Sequence, residues 1–430
     1  MKKWLIGSLF LLFCLGRPFH AGAEQTLQQL IDAAPANSTI RLENKTYVGD
    51  IVIRKPLKIV GASHTVIKGS GRGNVVSIKS SHVVIENVTI TNSGKSRDTQ
   101  EEFAAIKVYS NYNTLKEITV KNSFHGIYLS KAHHNRVERV YVVGKNNGEI
   151  AGQGNGLHIY YSNFNQLIGN TIVGTRDGIF FDYSNRNVVK QNNVSRTRYG
   201  LHYMYSDDNE FYENEFMFNT GGAAIMNSNR IVLKNNKFLF NQGMRSFGVL
   251  LQMANDNEMA NNEFYQNQRG VYIDQSNNNF LKGNTFLQNQ IGVELWASSQ
   301  NQIFTDNRFS KNITAVLRLG GEGNNQWSGN HWGEEARIFD LNQDGKGESP
   351  FEYTSSLHKI VEQNELAYLF FNSPSIRVYE KINELLQEEE VMAIDRHPII
   401  EQARLSLQQI IGWLMIIGIG TFAIVKFQRG

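Results

Sequence analysis

From Gly126 onward glycine recurs before short segments in which every second position is apolar. The glycines stand at 126, 156, 178, 200, 222, 248, 270 and 292, in steps of 30, 22, 22, 22, 26, 22 and 22, so the underlying period is 22 residues. The unit beginning at Gly270, GVYIDQSNNNFLKGNTFLQNQI, holds three alternating segments separated by Asn or Gly turns. Each segment is too short for a helix, and the regular spacing marks strands. One unit is therefore one coil of three strands. A single coil cannot bury its apolar face, so coils must stack, each strand hydrogen-bonding to its equivalent in the next at about 4.8 Å. The pattern predicts an all-β fold, a right-handed parallel β-helix over residues 24–339.

Asparagine marks the corners. It stands nine residues after most of the glycines, at Asn135, Asn165, Asn187, Asn209, Asn257, Asn279 and Asn301, and fourteen after at Asn170, Asn192, Asn214, Asn236, Asn262 and Asn284. Asn tolerates the left-handed backbone conformation, and its amide can bond to copies above and below, so ladders of stacked amides are expected. No proline occurs between Pro56 and Pro350, as an uninterrupted ladder of backbone donors requires. Thr26 to Ala34 is amphipathic and is expected to plug the first coil as a helix. The stretches Gly144–Asn155 and Asn241–Phe247 exceed the period and should bulge as loops. Beyond Phe339 the apolar spacing becomes helical, through HKIVEQNELAYLFF and then Ser375 to Met392, which predicts a small α-helical tail over 340–404.

The ends of the chain bear on where it works. Lys2 and Lys3, the apolar run from Trp4 to Gly16 and the small residues Ala21-Gly22-Ala23 read as a secretory signal over residues 1–23. Leu405 to Val425 carries no charge over a length of about 31 Å as a helix. It reads as a membrane anchor followed by a basic cytoplasmic tail, 426–430, although Gln408 and Gln409 also fit a buried or amphipathic helix. The bulk of the chain is then expected outside the cytoplasmic membrane. Lys and Arg exceed Asp and Glu by 43 to 40, and removing Lys2, Lys3 and Arg17 with the signal leaves 40 against 40. Nucleic acid has no electrostatic case. The single cysteine, Cys14, lies in the signal, so a disulfide scaffold is excluded.

Alternation places the first and third residues after each glycine inside and the second and fourth outside. The outward columns then run His158, Phe180, His202, Ala224, Leu250, Tyr272, Glu294 and Tyr160, Asp182, Met204, Met226, Gln252, Asp274, Trp296. Met204 and Met226 become neighbours on adjacent coils, with His202 roughly 7 Å from Met204 along the strand. One imidazole and two thioethers form a soft, neutral ligand set that suits Cu(I) better than zinc, calcium or magnesium. The alternative is an adaptable apolar stripe that packs on the tail or a partner. His158, two coils away, is either a second metal station or a polar surface residue. In Asp340-Leu-Asn342-Gln-Asp344-Gly345-Lys-Gly-Glu348 the first six positions fit a calcium loop, but position twelve is Phe351, so weak calcium binding and a plain turn both fit. Asp182 and Asp274 share a column about 19 Å apart, too far for paired-carboxylate chemistry. The adjacent Asp207 and Asp208 fall in a turn, and no Gly-rich, Lys-containing phosphate loop is present.

Three segments carry a resemblance: YGLHYMYSDDN at Tyr199 to Asn209, DLNQDGKGESPF, and NSPSIRVYE at Asn372 to Glu380, in that order and after TLQQLIDAAP and TYVGDIVIRKPLKIVG. With them the chain resembles the NosD family, accessory factors of nitrous oxide reductase maturation among the secreted pectin-lyase-like β-helix proteins. The resemblance implies a non-enzymatic extracytoplasmic protein that works with an ABC-type ATPase and permease. It also implies receipt of copper from a copper-chaperone lipoprotein and help in assembling the copper-sulfide centre of nitrous oxide reductase. His202 and Met204 lie inside the most recognisable segment. The expected anchor departs from members that end in a soluble tail. The rival readings are a polysaccharide lyase or epimerase and a glycan-binding surface protein.

Overall fold

Three sheets run the length of the molecule, and within the coils each is parallel and takes every third strand of the chain. The computed structural model describes residues 25–95, 102–145, 150–321, 323–333 and 336–400. Sheet one has 15 strands, beginning with Thr39–Arg41; sheets two and three have 12 each, beginning with Thr46–Val48 and Ile51–Ile53. The chain folds as a parallel β-helix of right-handed type, as the 22-residue period predicts. Among the described residues no helix is long and apolar enough to cross a membrane. The expected signal (1–23), membrane span (405–425) and cytoplasmic tail (426–430) lie outside the described residues.

The register follows the glycine spacing. In sheet three Ile179, Leu201, Ala223, Val249, Val271 and Val293 stand opposite one another on successive coils, and all are buried. Burying each aliphatic side chain of this column contributes roughly 1.5–3 kcal/mol. Sheet two adds a column of rings, Phe216, Phe238, Phe264, Phe286 and Phe309, stacked at 5.3, 5.1, 4.8 and 4.9 Å between centroids. That ring column explains the glycines. A Cβ on Gly222 would stand 2.4 Å from the carbonyl of Gly248 and 2.8 Å from Phe238, so a side chain there would collide with the next coil.

The asparagine ladders form, with a refinement. Along the row that starts at Asn170, the Oδ1 of Asn192, Asn214 and Asn236 each accepts both the backbone N–H and the side-chain amide of the preceding rung. The left-handed backbone falls on the residue before the ladder position, at Phe164, Arg186, Asp208, Gln191 and Glu213. The ladder asparagines are thus used for their amides, and the strained conformation goes to exposed neighbours of many types. Asn301 is one of those left-handed, exposed residues rather than a rung. Its coil is one residue longer, and Gln302 supplies the oxygen that accepts the Asn279 N–H.

Both ends are closed. Helix α1 (Leu27–Ala33) begins in a capping box between Thr26 and Gln29 and buries Leu27 and Ile31 over the first coil. At the other end the tail is less helical than its spacing suggests. Helix α2 (Leu357–Gln363) and a 3-10 turn at Glu365–Phe370 lead into α3 (Pro374–Leu386), which stops at Gln387 in the left-handed conformation. Met392 then lies in a strand, Glu390–Asp395, not in a helix. That strand pairs antiparallel with Phe351–Ser355 and meets the last coil where Asp395 faces Trp327. The Asp395 carboxylate accepts from the backbone N–H groups of Gly329, Asn330 and His397, the Asn330 amide and the Trp332 indole, at 2.8–3.0 Å. It caps the asparagine ladder at its final rung.

Candidate functional site

The outer face of sheet three carries the chemistry. Strand register aligns Lys107, Tyr128, His158, Phe180, His202, Ala224, Leu250, Tyr272 and Glu294 in one column. The neighbouring column holds Tyr160, Asp182, Met204, Met226, Gln252 and Asp274. Alternation explains why Leu201 and Tyr203, the odd positions between, are fully buried in the core.

Met204 stands directly opposite Met226 on the next coil, and both are partly exposed. His202 lies two residues before Met204 on the same face and is 8% exposed. Its Nδ1 lies 3.0 Å from Oδ2 of Asp177, whose carboxylate also accepts from Arg198 Nε at 2.8 Å and Nη2 at 2.6 Å. Burial raises the Asp177 carboxyl, but the hydrogen bonds and charges of His202 and Arg198 outweigh it and hold the group down at about 2. An ionised Asp177 can only accept, so Nδ1 of His202 carries a proton, and the lone pair of the neutral imidazole is then the one on Nε2. This is the carboxylate–histidine arrangement that orients metal-ligating imidazoles. Asp182, one coil before Met204 in the same column, has its carboxyl raised by partial burial.

The apolar-stripe alternative holds only farther along. Ile291, Leu317 and Leu319 are covered by Leu357, Val361, Tyr368 and Phe371 of the tail. The tail also seals a buried ion pair, Arg269 Nε to Glu294 Oε2 at 2.5 Å, with the Tyr368 ring 4.5 Å from the guanidinium. Between the covered coils and the methionines lies a cleft of about 790 Å³, lined by Tyr199, Phe247, Leu250, Tyr272 and Trp296 and by Val361 of α2. Met226 packs against its apolar floor at Ala224, Phe247 and Leu250. The other clustered methionines take no part: Met259 is in the core, Met217 is on sheet two, and Met244 and Met253 are exposed at turns.

His158 is not a surface residue. It is 5% exposed, packed between Tyr128 at 4.2 Å and Phe180 at 4.9 Å between ring centroids. Burial above all, then the charges of His125 and Lys107, pushes it well below the ordinary histidine value, so the ring is neutral. Neither ring nitrogen has a hydrogen-bond partner, which in a buried group costs about 1–3 kcal/mol. Beside it His125 Nε2 lies 3.1 Å from Glu102 Oε2. That contact from His125, more than any other, lowers the Glu102 carboxyl against its partial burial.

Glu102, His125, Asp177 and Arg198 escape a reading of the outward columns. Asp177 directly precedes its glycine, where alternation predicts an inward side chain, but the chain enters the strand there from a bend at 174–176. Glu102 lies in a segment with no period. The loop from Asp340 to Glu348 closes on itself: Asp340 accepts from the N–H of Asp344 and Gly345, Asn342 from Asp344, and Glu348 from Asn342. These are the bonds of a self-capped turn, and nothing further points to calcium. Asp182 and Asp274 stay four rungs apart, as expected.

Among solved structures the chain is similar to the bacteriophage Phi29 gene product 12 N-terminal fragment (TM-score 0.58, 10% identity, covering 69% of this chain and 61% of that one). It is also similar to the Dettilon tailspike protein (TM-score 0.51, 13% identity, 65% of this chain and 61% of that one). The Azotobacter vinelandii mannuronan C-5 epimerase AlgE6 A-module gives a TM-score of 0.48 at 15% identity over 71% of this chain and 88% of that one. At such identities the likeness is one of fold alone. No curated protein sequence matches the chain. Residues 139–336, the stretch that holds His158, His202, Met204 and Met226, match the family model described as "Periplasmic copper-binding protein (NosD)", and the parallel β-helix agrees with that match.

Proposed function

We propose that the chain is an extracytoplasmic, non-catalytic copper carrier in the maturation of nitrous oxide reductase. Cuprous ion is its cargo, held by His202 Nε2 and the thioethers of Met204 and Met226. The observation that carries this reading is the register of Met204 against Met226 beside an imidazole whose free lone pair is fixed by Asp177. Two thioethers and a neutral nitrogen favour a soft monovalent ion, and they bring no negative charge that would hold a divalent one. The family description, periplasmic and copper-binding, supports the same compartment and metal.

In this reading the cleft beside Met226 admits the protein that delivers or receives copper, a copper-chaperone lipoprotein on one side and nitrous oxide reductase on the other. An ABC-type ATPase and permease supply the energy, and residues 405–425 tether the chain beside them in the membrane. Copper, sulfur or a copper-sulfur species all remain within the role.

Two measurements test it. Cu(I) titration of the full-length chain against His202→Ala and against the double variant Met204→Ala with Met226→Ala should show weaker binding in both, and equal affinity in all three removes the site. Deleting the protein in its host should leave nitrous oxide reductase deficient in copper. A fully metallated reductase refutes the role.

A further inference from the structure

We propose that Glu102 and His158 bind a second metal ion, a divalent cation of the borderline class such as Cu(II) or Zn(II), with His125 holding the carboxylate in place. This station is separate from the cuprous site and does not depend on it.

The three side chains come from different parts of the chain, yet their ligand atoms all lie within 4.8 Å of one another. His158 Nδ1 stands 3.6 Å from Glu102 Oε2. That is too long for a hydrogen bond, but it matches the separation of two ligands on one tetrahedral ion, roughly 3.4 Å for metal–ligand bonds near 2.1 Å. Both nitrogens of His158 are buried without a partner. A buried polar group left unpaired in a native fold calls for an occupant, and a neutral imidazole with a free lone pair is a ready ligand.

His125 plays a different part. Its Nδ1 accepts the backbone N–H of Asn155 at 2.8 Å, so the ring proton sits on Nε2. From there it is donated to Glu102 at 3.1 Å. His125 therefore offers the ion no lone pair on that side. It is a positioning residue that orients the carboxylate, as outer partners of metal ligands commonly do. Glu102 is partly exposed, so water can reach the remaining coordination positions.

The Phe180 ring separates this station from His202, with centroids 4.9 Å from His158 and 4.7 Å from His202. The donor sets differ as well. One nitrogen and one carboxylate oxygen suit a divalent ion, where an imidazole with two thioethers suits a monovalent one. The competing account is that His158 only fills the aromatic column between Tyr128 and Phe180.

The test is calorimetric titration of the full-length chain with Zn(II), alongside Co(II) absorption as a second readout. Glu102→Gln and His158→Phe should each weaken Zn(II) binding at least tenfold and remove the Co(II) ligand-field bands. His158→Phe keeps a ring in the column and should melt with the parent. The double variant Met204→Ala with Met226→Ala should retain the Zn(II) equivalent while losing Cu(I) affinity. Unchanged Zn(II) affinity in Glu102→Gln and in a His158→Phe variant that melts normally overturns the proposal, as does loss of the Zn(II) equivalent in the methionine double variant.

Discussion

Asp177 and His202 sit on consecutive coils, 3.0 Å apart, and the carboxylate decides which nitrogen of the imidazole faces outward with a lone pair. The pair makes an outer side chain of a β-helix chemically specific. A histidine in the same column without such a partner, His158, has both nitrogens unclaimed.

The Asp177 carboxyl is held at about 2, below the ordinary aspartate value of about 3.9. A carboxylate with a depressed folded value stabilises above its unfolded value, and that contribution is lost as pH falls between about 4 and 2. The shift corresponds to about 2 kcal/mol. Denaturant unfolding at pH 7 and near pH 2 should therefore converge for Asp177→Asn relative to the parent, the variant having lost this part of the acid sensitivity. The same variant should bind Cu(I) roughly 10–100-fold more weakly, the usual cost of removing an outer partner of a ligating histidine.

Met204 and Met226 should matter where other methionines do not. Each single change to Ala is expected to cost at least tenfold in Cu(I) affinity, whereas Met217→Leu on sheet two should cost nothing. A competition titration with a coloured Cu(I) chelator separates the two outcomes, and equal losses at Met217 would mean that methionine content rather than register governs binding.

Asn214 lies in the middle of the inner ladder, and its Oδ1 accepts two bonds from Asn192. Its own amide donates to Val189 and Asn236. Asn214→Ala leaves the buried N–H of Asn192 unpaired and takes one of two bonds from the Val189 carbonyl, at about 1–3 kcal/mol for the stranded donor. Chemical unfolding should show a loss of at least that size. A loss below about 1 kcal/mol would show that the ladder amides contribute little.

Asp395→Ala removes five hydrogen bonds at the last rung, two of them made by Asn330. The expected result is a tail that opens before the coils melt, seen as early hydrogen exchange at residues 390–395. Asp395→Asn, which keeps two or three of those bonds, should restore most of the protection.

How much of this the chain reveals unaided depends on period. Wherever the 22-residue spacing holds, the columns read directly: Met204 against Met226 and Phe180 between two histidines follow from counting. Where the spacing fails, so does the reading. Glu102 comes from an aperiodic stretch, and Gln302 takes the place of Asn301 because one coil has an extra residue. The strand at Glu390–Asp395 was hidden because its Val391 and Met392 continue the three-and-four spacing of the helix before it. Outward by alternation also proved different from exposed, since Tyr128, His158 and Glu294 are covered by their neighbours.

The closing strand at Asp395 has one more consequence. Every junction between coils is built from the same register, so the terminal surface of a solenoid matches the starting surface of any copy of itself. By laying Glu390–Asp395 on that surface and covering its outer edge with the antiparallel Phe351–Ser355, the tail sets a finite length on an architecture that could otherwise polymerise end to end.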